Sequence, residues 1–138
     1  MKQETLMKWK GNMEFETELF GHKLTLDASP ESGGENKGTR PKVLMLTALA
    51  GCTGMDIISI LKKMKIKPDE FNVRVDGYLT EDLPKQYEKM HIIYEFKGEN
   101  LSEDKLRKAI DLSQEKYCGV SALYKKAIEL TYEIVILQ

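Results

Sequence analysis

Two cysteines, Cys52 and Cys118, are the side chains in this sequence best suited to chemistry. An ionised thiol is a nucleophile, and a second thiol can close on its oxidised form as a disulfide. The same residues also have a bland reading, because free cysteine is among the most buried residue types and often only packs. Residue type alone leaves both readings open. Metal binding is not indicated: there is no CxxC or HxxxH, and the two histidines, His22 and His91, fall in strand-like stretches. A Cys–His–Asp hydrolase would use the same residue types, but no spacing sets its geometry. Gly33-Gly34 lacks the strand and helix that flank a phosphate-binding loop.

Cys52 lies in the stretch around which the chain is organised, residues 41–66, PKVLMLTALAGCTGMDIISILKKMKI. Between Val43 and Ile60 the only charged residue is Asp56. Pro41 suits a first helical position, and Lys62, Lys63 and Lys65 suit the negative helix end. The spacing predicts one long helix, apolar nearly all round and therefore buried on all sides. A membrane span is the competing reading, and Gly51, Cys52, Thr53, Gly54, Asp56 and Ser59 in mid-segment make it a poor one. Thr47, Ala50, Gly51 and Gly54 share a stripe of small residues. Small residues let another backbone come close, and a helical glycine costs roughly 1 kcal/mol against alanine, so two of them suggest a packing or functional reason. A chain of 138 residues can wrap such a helix only in part, so a second copy is expected to complete its burial. Asp56 reads as a structural carboxylate that would raise the pKa of a nearby thiol.

Residues 1–28 read as short antiparallel strands. Met13, Phe15, Thr17 and Leu19 alternate with Glu14, Glu16 and Glu18, and His22, Leu24 and Leu26 alternate after Gly21. Residues 29–40 form a polar, glycine-rich loop that should be mobile, either a plain linker from the strands to the helix or a loop that borders the site near Cys52. Residues 67–138 hold the remaining elements. Phe71, Val73 and Val75 mark one strand, and Met90, Ile92, Tyr94 and Phe96 its hairpin partner. A second helix starts at the N-cap Ser102, buries Leu106, Ala109, Ile110, Ser113 and Tyr117, and stops at Gly119 after Cys118. Ser121 is expected to cap a short third helix, and Tyr132, Ile134 and Ile136 share one face of a last strand. The order predicts an α+β fold with helices against antiparallel sheet, in a single domain over 1–138.

Charged residues make up 31% of the chain and its formal net charge is −1, so nothing favours nucleic acid or an anionic membrane. The N-terminus lacks the apolar core of a signal peptide, and the reading is cytoplasmic. In that compartment two cysteines are inert thiols or a redox pair rather than a permanent staple.

Pro41 to Asp56, with Gly51-Cys52-Thr53-Gly54 at its centre, resembles the central helix of the OsmC/Ohr family, the osmotically inducible and organic-hydroperoxide-resistance proteins. Lys116-Tyr117-Cys118-Gly119-Val120-Ser121 resembles the family's second cysteine motif, and the end of the chain, IELTYEIV, fits as well. The resemblance implies antiparallel sheets wrapped round a long central helix in an intertwined homodimer, with active sites at the interface. It also implies a thiol peroxidase cycle without a cofactor. Cys52 would attack an organic hydroperoxide, Cys118 would close the disulfide, and a dithiol such as reduced lipoamide would reset the pair. One departure matters. The hydroperoxidases carry a glutamate ten residues before the first cysteine, and here that residue is Lys42. Their N-terminal arginine is also missing: none precedes Arg40, which is the nearest arginine to Cys52 in sequence and the candidate cation for its thiolate. The alternative is a relative with other or no catalysis, whose dimer cleft binds a small apolar ligand.

Overall fold

A computed structural model describes residues 1–137. The chain divides into two compact units, Met1–Met45 and the part from Leu46 onward. The first holds β1 (Lys8–Gly11), β2 (Glu14–Leu19) and β3 (His22–Leu26) in an antiparallel sheet of order β1-β2-β3. The pairing follows the alternation, with Phe15 opposite Leu26 and Thr17 opposite Leu24. The turns need left-handed backbone, supplied by Gly11 and Asn12 and by Phe20 and Gly21. This sheet buries little: Thr17 is covered, whereas Met13, Phe15 and Leu19 stay exposed.

The following loop is tied down rather than loose. Asp27 accepts backbone N–H groups of Ala28, Glu35 and Lys37 at 2.7, 3.1 and 3.0 Å. Those bonds, with that from Lys37 foremost, hold the Asp27 carboxyl below its ordinary value. A 3₁₀ turn spans Pro30–Ser32, and Asp27 N–H donates to Thr39 O at 3.1 Å. The expectation of a mobile linker overlooked this one buried acceptor.

The long helix α1 spans Leu44–Lys63, shorter than the stretch 41–66. Pro41 is not its first residue. Leu44 N–H and Met45 N–H donate to Pro41 O and Lys42 O, three residues back, so a tighter turn precedes the helix. Leu49, Thr53, Ile57 and Leu61, four residues apart in succession, form its buried stripe. The helix is not buried all round in one chain: Ala48, Gly51 and Ile58 lie exposed and Met55 is 77% exposed.

The larger unit lays this stripe on a second sheet of order β4-β5-β6, formed by β4 (Glu70–Leu79), β5 (Tyr87–Lys97) and β6 (Glu129–Leu137). Met90, Ile92, Tyr94 and Phe96 of β5 are fully buried, and β5 is the central strand. A Cβ on Gly54 would stand 3.4 Å from Val73 Cγ2, about an ordinary van der Waals contact with β4. Nothing lies within 4 Å of a Cβ on Gly51. Strands β4 and β5 pair antiparallel as a hairpin, but β6 runs parallel to β5. That corrects the expectation of an antiparallel sheet at one edge. Two helices, α2 (Glu103–Leu112) and α3 (Gly119–Lys125), separate β5 from β6 and return the chain to the end where β5 began, as a parallel pair requires. Ser102 caps α2 as expected, accepting Lys105 N–H at 3.4 Å.

Helix α1 has the length and apolarity of a membrane span; it buries one stripe, and its Thr53 and Asp56 are hydrogen-bonded to the segment after α2.

Candidate functional site

Helix α2 does not simply end. It widens into a π turn, Ser113–Tyr117, closed by Cys118 N–H donating to Ser113 O at 2.8 Å. Ser113 and Gln114 lie three and four residues after the buried Ile110, so they continue the inward stripe of α2. Both are buried, and the π turn that they open takes in one extra residue. It also turns Tyr117 outward, to 53% exposure, so the expectation that Tyr117 continues the core stripe fails. Lys125 Nζ reaches back to Gln114 O at 2.8 Å.

Cys118 follows the π turn in extended conformation and is itself the N-cap of α3, its Sγ accepting Ser121 N–H at 3.3 Å. Ser121 is therefore not the cap. It is buried inside α3, and its hydroxyl donates to Gln114 Oε1 at 2.6 Å.

These local turns bring Cys118 to Cys52. Sγ of Cys52, Sγ of Cys118 and a carboxylate oxygen of Asp56 lie within 4.8 Å of one another. Cys52 and Asp56 meet because residues four apart share a helix face. Cys118 is 2% exposed, and Cys52 is half-buried. Burial pushes the Cys118 thiol up to about 11; the Ser121 N–H acts against the rise, and Cys52 and Asp56 add to it. Three donor atoms fall short of a closed metal site.

Behind the thiols runs a row of buried hydroxyls. Ser113 donates to Asp56 Oδ2 at 3.0 Å and bonds Thr53 Oγ1 at 2.8 Å; Thr53 in turn bonds the Tyr94 hydroxyl at 2.8 Å. Gln114 Nε2 donates to that hydroxyl at 2.7 Å. Burial pushes the Tyr94 phenol up to about 12.

A family model described as OsmC-like protein matches residues 34–133. The chain belongs to the OsmC-like family. Among curated relatives of this OsmC-like chain, Protein YhfA of Escherichia coli K12 is 30% identical over 132 residues, which span 94% of this chain and 96% of that one. A hypothetical protein from Aquifex aeolicus VF5 superposes with a TM-score of 0.83 at 28% identity, over 100% of this chain and 99% of the other. The organic hydroperoxide resistance protein OsmC from Legionella pneumophila superposes with a TM-score of 0.67 at 19% identity, over 96% and 97% of the two chains. At that identity the last likeness shows the fold alone.

The OsmC-like fold thus joins the two cysteines singled out in the sequence. Arg40 lies in the other unit, where its Nη1 donates to Asn36 Oδ1 at 2.8 Å and to Gly38 O at 3.0 Å. Sequence reasoning treated Asp56 as structural and missed Thr53, Tyr94, Ser113, Gln114 and Ser121. The available signal was polar residues within apolar stripes: Thr53 and Asp56 on the long helix and Ser113 on α2.

Proposed function

We propose that this protein is a thiol-dependent reductase of organic hydroperoxides, with Cys52 as the attacking and Cys118 as the resolving cysteine. The observation that carries the reading is the approach of the two sulfurs within 4.8 Å, one of them half-buried and the other enclosed. The Cys52 thiolate takes the terminal oxygen of the hydroperoxide, and the alcohol leaves with a proton. Cys118 then displaces the hydroxyl of the Cys52 sulfenic acid, giving the disulfide and water. An external dithiol, such as reduced lipoamide, returns both thiols. The OsmC and Ohr proteins are known for acting on hydroperoxides, which supports this choice of oxidant. Arg40 is proposed as the cation that favours the thiolate, and the reaction is placed in the cytoplasm.

One equivalent of cumene hydroperoxide should remove the mass of two hydrogens from the intact protein and join the peptides of Cys52 and Cys118. Intact mass and peptide mapping read this out. Thiols that stay reduced would end the peroxidase reading. Saturable binding of a fatty-acid probe by such an inert protein would establish the apolar-ligand reading, which the exposed Met55 and Ile58 favour. In the same assay an Arg40→Ala rate equal to wild type would remove Arg40 from the mechanism.

We further propose a homodimer, with the open face of α1 covered by a second copy. Gly51 has empty space beside it, and Met55 and Ile58 are large apolar side chains left in water. The interface should bury roughly 2,000 Å² or more. Sedimentation at micromolar concentration should give twice the chain mass of 15.8 kDa, and a monodisperse monomer would refute the dimer.

A further inference from the structure

Asp56 is the one acidic side chain of α1, and it stands where a carboxylate works against thiolate formation. Beside Cys118 it raises the cost of the sulfur anion. Its placement calls for a role other than holding a thiolate charge.

The hydrogen bonds around it supply one. An ionised carboxylate can only accept, and the amide nitrogen of Gln114 can only donate. With those ends set, the protons of the row take one direction. Gln114 Nε2 donates to the Tyr94 hydroxyl, Tyr94 to Thr53, Thr53 to Ser113, and Ser113 to Asp56 Oδ2. Successive donors polarise one another, so the row presents Asp56 as an acceptor. The titratable groups facing it are Cys52 on its own helix, Cys118 after the π turn, and Tyr94 of β5 through Thr53 and Ser113.

We propose that Asp56 is the general base that takes the Cys118 proton as Cys118 attacks oxidised Cys52. This rests on the thiol reading above and assigns its proton path. In the closing step the Cys118 S–H bond breaks and its proton passes to Asp56. The Cys118–Cys52 S–S bond forms as the S–O bond of the Cys52 sulfenic acid breaks. Asp56 then hands the proton to the departing hydroxide, which leaves as water. The sulfenic sulfur is reduced and the Cys118 sulfur oxidised to the disulfide level, and Asp56 ends as it began. A thiol that burial keeps protonated near neutral pH needs such a base. Ser113, Thr53 and Tyr94 are positioning residues in this scheme.

The test avoids hydroperoxide. Ellman's reagent loads Cys52 as a mixed disulfide in a first release of coloured thiolate. Attack by Cys118 then gives a second release, in which the leaving thiolate needs no proton. We expect Asp56→Asn to slow the second release about 100-fold at neutral pH, within the range for loss of a general base. In wild type this rate should be nearly flat across neutral pH. In Asp56→Asn it should rise about tenfold per pH unit, because reaction then waits for the free thiolate. Formate should restore several-fold of the lost rate in Asp56→Ala, a rescue that a merely structural carboxylate would not permit. The proposal is overturned if the second release is absent in wild type, or if Asp56→Asn matches wild type in rate or pH profile. A protein that shows this Asp56 dependence yet ignores cumene hydroperoxide would sink the hydroperoxide reading and leave the base in place.

Discussion

The Cys52→Ser protein should consume no organic hydroperoxide, and its Cys118 should stay reduced after stoichiometric oxidant. The reason is the unequal setting of the two thiols. Cys118 is enclosed and its thiol is pushed up to about 11 by burial. At pH 7 only about one molecule in ten thousand would carry that thiolate, and the thiolate is the nucleophile. Cys52 is only half-buried, so part of it stays open to an incoming peroxide. The Cys118→Ser protein should react once. With no thiol to close on it, the Cys52 sulfenic acid should then accumulate and pass to sulfinic acid under excess oxidant. Intact mass on both variants distinguishes these states by added oxygens. Oxidation of Cys118 in Cys52→Ser to the extent seen in wild type would reverse the assignment of roles.

The largest loss of stability from a near-isosteric change should come from Thr53→Val. Thr53 is fully buried, and its one hydroxyl serves Tyr94 and Ser113 at 2.8 Å and Gln114 Nε2 at 3.5 Å. Valine keeps the shape and removes the oxygen. The Tyr94 proton then has no acceptor, and Ser113 loses its donor. Each buried polar group left unpaired costs about 1–3 kcal/mol, so the variant should lose about 2–4 kcal/mol. For a chain of this length that is a fall in Tm of about 10 °C. Thr53→Ser keeps the hydroxyl and should lose about 1 kcal/mol, the value of one buried methyl group. Thermal and urea unfolding of the two variants give the comparison. If Thr53→Val were as stable as Thr53→Ser, the hydroxyl row would not support the fold.

The strands were legible because a sheet face repeats every two residues, and the chain writes that period plainly in Phe71, Val73 and Val75 and in Met90, Ile92, Tyr94 and Phe96. The start of α2 was legible because a cap is a local device: Ser102 needs only the N–H of Lys105, three residues on. The two cysteines were legible as a pair through the residues around them. The parallel setting of β6 was not, since its own alternation is the same in either direction and the path of α2 and α3 decides it.

What the sequence by itself determined is therefore the set of elements and the two thiols, since these depend on residues a few positions apart. What only the tertiary structure decided is the environment of those thiols. One additional residue in the turn at Ser113–Tyr117 leaves no pattern in composition, yet it turns Tyr117 outward and delivers Cys118 to Cys52. In the sequence Asp56 reads as a structural carboxylate on an apolar helix. It became an acceptor at the end of a row because Ser113, 57 positions away, and Tyr94, linked to Thr53 across 41 positions, pack against the same turn of α1. Hydrogen bonds of a few ångströms between residues so distant in the chain arise from packing, and no local spacing encodes them.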